Sequence, residues 1–304
     1  MEGDLKFSHD WTKTLRVVTD SRGASVLRNA IIGWWDDRAL SMGAAIAFYA
    51  IFSLAPVLLI VIAIGGLVFG SDVAETAVLA QFGGLIGPSG AESVAKILAS
   101  AGNFSSGVLG TVIGVGTFIV TASGAFGELQ ADLNAIWRAP PPRYSSILAF
   151  LIARLLSFAM IAVIAFLLLI SLTFDALASA ASQYFSWQDE ALIVATVNLT
   201  FSIVMSGLLF AFIFKMLPSV RLAWRTVAPG ALLTAVLFVL GKFVIGFYLG
   251  RSNIATTYGA AASVITLMLW VYYSAQILLF GAEFVKAYAD RKKPASRHAP
   301  RRPQ

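Results

Sequence analysis

The chain has 304 residues, 58% of them hydrophobic and 12% charged, with a mean hydropathy of +0.81, a balance that excludes an ordinary water-soluble globule. It contains no cysteine, so disulfides, thiolate catalysis and thiolate-bound metals are excluded as well. The net charge of +6 lies mainly in the two tails and does not gather into the basic surface that nucleic acid requires, so no nucleic-acid partner is expected.

Residues 1–30 form a basic segment carrying Lys6, Lys13, Arg16, Arg22 and Arg28. It lacks the apolar core of a signal peptide, which leaves insertion to the first true span. Trp34 and Trp35, with Arg38 beside them, suit an interfacial helix on the cytoplasmic side. Six apolar runs follow, at approximately 42–69, 108–126, 147–172, 192–214, 226–249 and 260–284, each long enough for a hydrocarbon core of about 30 Å. Pro56, in FSLAPVLL, predicts a kink in the first of them. After the first run, Val78, Leu79, Phe82, Leu85 and Ile86, then Val94, Ile97, Leu98 and Ala101, recur at helical spacing. Gly87-Pro88-Ser89-Gly90 divides them into two short amphipathic helices, expected on the outer face. Pro140–Pro142 turn the chain back towards the third run, so the second and third spans are expected to be neighbours. Residues 290–304, nearly all of them RKKPASRHAPRRPQ, cannot form a core. They read as a disordered basic tail drawn to anionic headgroups.

Lys and Arg set the orientation. Of the 22 such residues, Lys96 and Arg251 alone fall in the first, third and fifth connections, and Arg154 and Lys242 fall inside spans. All the others lie in the tails or in the second and fourth connections. The fold class expected is therefore all-α: a polytopic membrane protein whose six-helix domain covers residues 31–289, with both termini in the cytoplasm.

Polar residues inside the spans are the candidates for function. Gly110, Gly114, Thr117, Thr121, Ala125, Glu128 and Asp132 step along one helix face that turns acidic at its cytoplasmic end. That face is either a packing seam emerging into water or the wall of a cavity open to the cytoplasm. Arg154 lies about 10 Å into the third span at 1.5 Å per residue, where an unpaired guanidinium is costly. It either snorkels to the interface or pairs with Glu128 or Asp132. Lys242 falls in the outer third of the fifth span. Asn198, Ser202 and Ser206 share one face of the fourth. Glu283 and Lys286, three apart at the end of the sixth, read as an interfacial pair. The two histidines, His9 and His298, sit in opposite tails, and no cluster with metal-ligand spacing exists, so metal-dependent hydrolysis is not expected. Nor does any phosphate- or dinucleotide-binding glycine motif occur, so no cofactor and no enzymatic activity are expected.

Four segments together, AIAFYAIFSLAPVLLI, ASGAFGELQADLNAIW, PGALLTAVLFVLGKFVIGFYL and YGAAASVITLMLWVYYSAQILLFGAEF, resemble the YihY/BrkB family over roughly Ile31 to Ala289. The resemblance implies a multi-pass protein of the bacterial inner membrane with about six spans. Members of that family carry the labels ribonuclease BN, virulence or serum-resistance factor, and transporter. The residues favour the last. In that reading the chain is a secondary transporter or a lipid or amphiphile translocator, whose partners are membrane lipids and a small substrate. Arg154 and Lys242 would attract an anionic headgroup, while Glu128 and Asp132 hold Arg154 or relay protons. The competing reading is a non-transporting envelope scaffold or surface-resistance factor that acts through its outer helices and tails.

Overall fold

The computed structural model describes residues 22–86, 88–102, 124–140, 191–251 and 262–292, with scattered helical positions between 152 and 171. All regular structure among the described residues is helical. In chain order the helices are α1 (Arg22–Asp36), α2 (Ala39–Phe69), α3 (Ser71–Ile86), α4 (Pro88–Gly102), α5 (Gly124–Ile136), α6 (Ala191–Met216), α7 (Trp224–Arg251) and α8 (Ala262–Lys292). Residues 108–123 of the second predicted span, most of the third, and Arg154 lie outside the described residues.

Three stretches are long and apolar enough to cross a bilayer: Thr196–Met216, Trp224–Ile245 and Val264–Arg291. They coincide with the fourth, fifth and sixth predicted spans. The first predicted span coincides with α2, which runs past Pro56 to Phe69 as one helix. α1 and the first half of α2 would pass together as a fourth crossing only as a broken span, because they meet at 65°.

Local chemistry explains the breaks. Gly70 adopts φ 89°, a left-handed conformation open to glycine at little cost, and its N–H closes α2 on the Gly66 carbonyl at 3.0 Å. The two helices expected between the first and second spans are α3 and α4. The second of them begins at Pro88, where the missing N–H would have been unpaired in any case. Val78 of α3 and Val94 and Leu98 of α4 bury themselves against Leu58 and Val61 of α2.

α8 is the central element and touches α1, α2, α5 and α7. Its close approaches need small residues. A methyl group added at Gly33 would strike the Glu283 carboxylate, one at Gly43 the Gln276 amide, and one at Gly281 the Thr234 hydroxyl. The main core gathers around this helix at one end of the bundle, joining Ile46, Leu133, Ile136, Met160, Phe214 and Leu279. α5 is tied to the α6–α7 connection there. Gln130 Nε2 donates to the Leu217 carbonyl at 3.0 Å, and the Ser219 N–H donates to Asn134 Oδ1 at 2.7 Å.

Candidate functional site: a charged cleft and two buried polar positions

At the same end, α1, the residues after α5 and the last turns of α8 enclose a cleft of about 520 Å³. Its charged lining comprises Asp36, Asp37, Arg138, Glu283, Lys286, Asp290 and Arg291. Two elements present their contributions through unusual backbone. Arg38 and Arg138 lie just past the ends of α1 and α5 with φ 58° and 50°, a conformation that is uncommon for non-glycine residues and disfavoured by the Cβ. After α5 the geometry is a Schellman closure: Ala139 N–H bonds the Asn134 carbonyl at 2.9 Å and Arg138 N–H bonds Ala135 at 3.1 Å. That turn aims the Arg138 side chain at the α1–α2 corner.

There Asp37 is gripped from both sides. Arg138 donates to its Oδ1 at 2.5 Å and Lys286 to its Oδ2 at 3.1 Å. Lys286 also reaches Glu283 Oε2 at 3.2 Å. The Asp37 and Glu283 side chains are only 5% and 2% exposed, whereas that of Arg138 is 71% exposed. Burial pushes the Asp37 carboxyl up. Its hydrogen bonds with Glu283, Lys286 and Arg138 and the charge of Lys286 outweigh that push and leave it below the ordinary aspartate range. Glu283 and Lys286 are therefore not an isolated interfacial pair: they are half of a four-residue network that joins three chain segments. Asp37 and Arg138 are the members that sequence reasoning missed. The only signal was that each follows a tryptophan near a helix end, at Trp35 and Trp137.

The other candidates stand apart from the cleft. Asp132, on α5 between Leu129 and Leu133, is buried, and its Oδ2 has no hydrogen-bond partner among the described residues. Burial, then the negative charge of Glu128 one turn earlier, raises its carboxyl to about 7. Glu128 itself is half-buried. The predicted partner of this pair, Arg154, lies outside the described residues. Lys242 is half-buried on α7, and its Nζ donates to Ser202 Oγ on α6 at 2.9 Å. Asn198, one turn further along the same face of α6, is exposed. Gly241 packs on Tyr273 of α8, ten residues before Glu283, so Lys242 sits about 15 Å along the bundle from the cleft at 1.5 Å per residue. Glu283 and Lys242 thus belong to different places. No group of three or more acidic or histidine side chains among the described residues could hold a metal ion.

Comparison with known proteins places this geometry in a family. Residues 30–304 match the family described as virulence factor BrkB. Among curated relatives, a UPF0761 membrane protein of Enterobacter sp. (strain 638) is 29% identical over 60% of this chain and 61% of its own length. A UPF0761 membrane protein of Stenotrophomonas maltophilia (strain R551-3) is 28% identical over 84% of this chain and 58% of its own. One from Xanthomonas campestris pv. campestris (strain B100) is 25% identical over 96% and 67%. The chain thus spans about three fifths of the length of the first two. No solved structure matches it.

Proposed function

The chain belongs to the BrkB family of membrane proteins, and on that premise we propose that it is a six-span transporter of the bacterial cytoplasmic membrane. Both termini lie in the cytoplasm, and the cargo is a small solute or an amphiphile moved by secondary transport. One observation carries this reading: Lys242 sits within a helix apolar enough to span the bilayer and bonds the Ser202 hydroxyl of the neighbouring helix. An ammonium at such a position costs on the order of a few kcal/mol, and a hydroxyl solvates the charge without neutralising it. An anchor has no use for that arrangement, whereas an anionic group in transit does. Asp132, buried with an oxygen that has no partner among the described residues towards the other end, supports the same reading as the station where a proton or a cation is exchanged with the cytoplasm, with Glu128 as its charged neighbour.

The scaffold reading draws on a different feature. α3 and α4 form a helical pair that no span requires, with Glu92 and Lys96 ion-paired at 2.7 Å on its exposed side. Reconstitution separates the two. Wild-type and Lys242→Gln protein are placed in liposomes holding a fluorescent phospholipid in one series and a trapped pH indicator in another. Transport predicts a flux above protein-free vesicles in at least one series, reduced at least tenfold by Lys242→Gln. Wild-type flux equal to that of empty vesicles in both series removes the transport reading and leaves the scaffold.

A further inference from the structure

The cleft has a wall with a distinct character. Ser25, Asn29, Ile32, Gly33 and Asp36 line it from α1 and fall on one helical face at 100° per residue. The large exposed apolar residues of α1 are Leu27, Ile31, Ile32 and Trp35; Ile32 belongs to the cleft wall, while Leu27, Ile31 and Trp35 occur at i, i+4 and i+8 on another face, Ile31 two residues, and so about 200°, from Asn29. Val26, at the edge of the cleft wall, and Ala30 beside it are buried. If the apolar stripe rests on the membrane, as its tryptophan and the 65° bend from α2 favour, the cleft opens to the aqueous side.

The charged groups in it converge. An ammonium has three donors and a guanidinium five. Lys286 commits donors to Asp37 and Glu283, and Arg138 commits donors to Asp37 and, at 3.4 Å, to the Ala135 carbonyl. Among the described residues this leaves donors on both cations, brought from different helices and fixed relative to one another because each holds one oxygen of the same carboxylate. Charged donors placed in this way suit an oxyanion such as a phosphate. Asp36 is exposed on the rim, where Asp290 and Arg291 add one charge of each sign, so a plain anion would also meet the Asp36 carboxylate, and a plain cation would meet Arg138 and Lys286.

We infer that this cleft binds a phosphate ester that also carries an amine, a phosphoethanolamine group, with its phosphate on Arg138 and Lys286 and its ammonium towards Asp36. The group can arrive as a soluble ester or on a lipid. The site does not depend on transport: binding without flux keeps it and removes the transport reading, and flux without binding does the opposite.

The test uses the full chain in detergent micelles, titrated calorimetrically with phosphoethanolamine, inorganic phosphate and ethanolamine. A second arm uses nanodiscs of phosphatidylethanolamine or phosphatidylglycerol, with bound lipid read by native mass spectrometry. The expected result is phosphoethanolamine binding at least tenfold tighter than either half, or selective retention of phosphatidylethanolamine. The first outcome assigns the soluble ester and the second the lipid. Arg138→Gln should weaken binding at least tenfold while Arg138→Lys keeps part of it, and Asp36→Asn, a change at the exposed rim, should abolish the preference over phosphate. Phosphate binding as tightly as phosphoethanolamine, indifference to Asp36→Asn, or binding in neither arm would overturn the inference.

Discussion

Asp132 shows how much a single side chain can report. An unfolded aspartate titrates near 3.9, whereas burial and Glu128 raise this one to about 7. The folded protein therefore binds a proton that the unfolded chain has released over that interval. The stability this proton contributes is complete below about pH 4 and is lost as pH rises through about 7. At roughly 1.4 kcal/mol per tenfold change in proton affinity, the effect is on the order of a few kcal/mol. Asp132→Asn has no proton to lose at this position, so its unfolding midpoint in detergent should fall less between pH 5 and 8 than that of the wild type. At pH 8 the variant should be the more stable of the two. A wild-type midpoint independent of pH over this range would contradict the buried, unpartnered carboxyl. Asp132 was visible in the sequence because it continues the step of Glu128. Asp37 and Arg138 were not, because their meeting depends on two left-handed arginines after helix ends, and nothing in local spacing announces that conformation.

Between elements, the decisive contacts involve glycine against a larger partner on a neighbouring helix. At the α7–α8 crossing, a Cβ on Gly281 would strike Thr234 Oγ1 and approach Phe214 to 3.0 Å. Thr234 is buried and its hydroxyl donates to the Gly230 carbonyl at 2.7 Å, so it has little freedom to move aside. Gly281→Ala should therefore cost roughly 1–3 kcal/mol, the usual range for overpacking. Thr234→Ala removes the atom in the way, and the double variant should recover part of the loss. Unfolding measurements on the four proteins of this cycle give the coupling directly, and strict additivity would show that the two helices are not in the close register described. These contacts explain why helix positions were easy to read from the sequence and helix partners were not. Runs of apolar residues mark α6 and α7 to within about two residues and the start of α8 as closely, while α8 continues to Lys292, eight residues past the predicted end; but the pattern is apolar all round and carries little information about which face meets which neighbour.

For the molecule as a whole, the legible part is the alternation of apolar runs and basic connections. The positions of α2, α6, α7 and α8 and the α3–α4 pair were all readable, and α4 begins at Pro88, inside the stretch Gly87–Gly90 that was expected to divide the pair. The charged cleft was not, since its parts lie at Asp37, Arg138 and Glu283, far apart in the chain and joined by folding alone. Orientation is the global property that the charge distribution speaks to most strongly. Lys96 and Arg251 alone occupy the connections assigned to the outside, against dense basic runs at both ends, a bias that predicts a cytoplasmic side for the positive connections. Because the chain has no cysteine, single cysteines report location without background. In intact cells, a membrane-impermeant maleimide should label cysteines placed at Glu92 on α4 and leave those at Asn29 and Asp290 unmodified until the membrane is opened. Cysteine at Trp35 should stay resistant even then, shielded by lipid, while Asn29 on the cleft face reacts. Labelling of Asn29 in intact cells would invert the topology, moving the cleft to the outer surface. Equal reactivity at positions 29 and 35 after opening would mean that α1 stands in water, and the lipid-facing role of its apolar stripe would be lost.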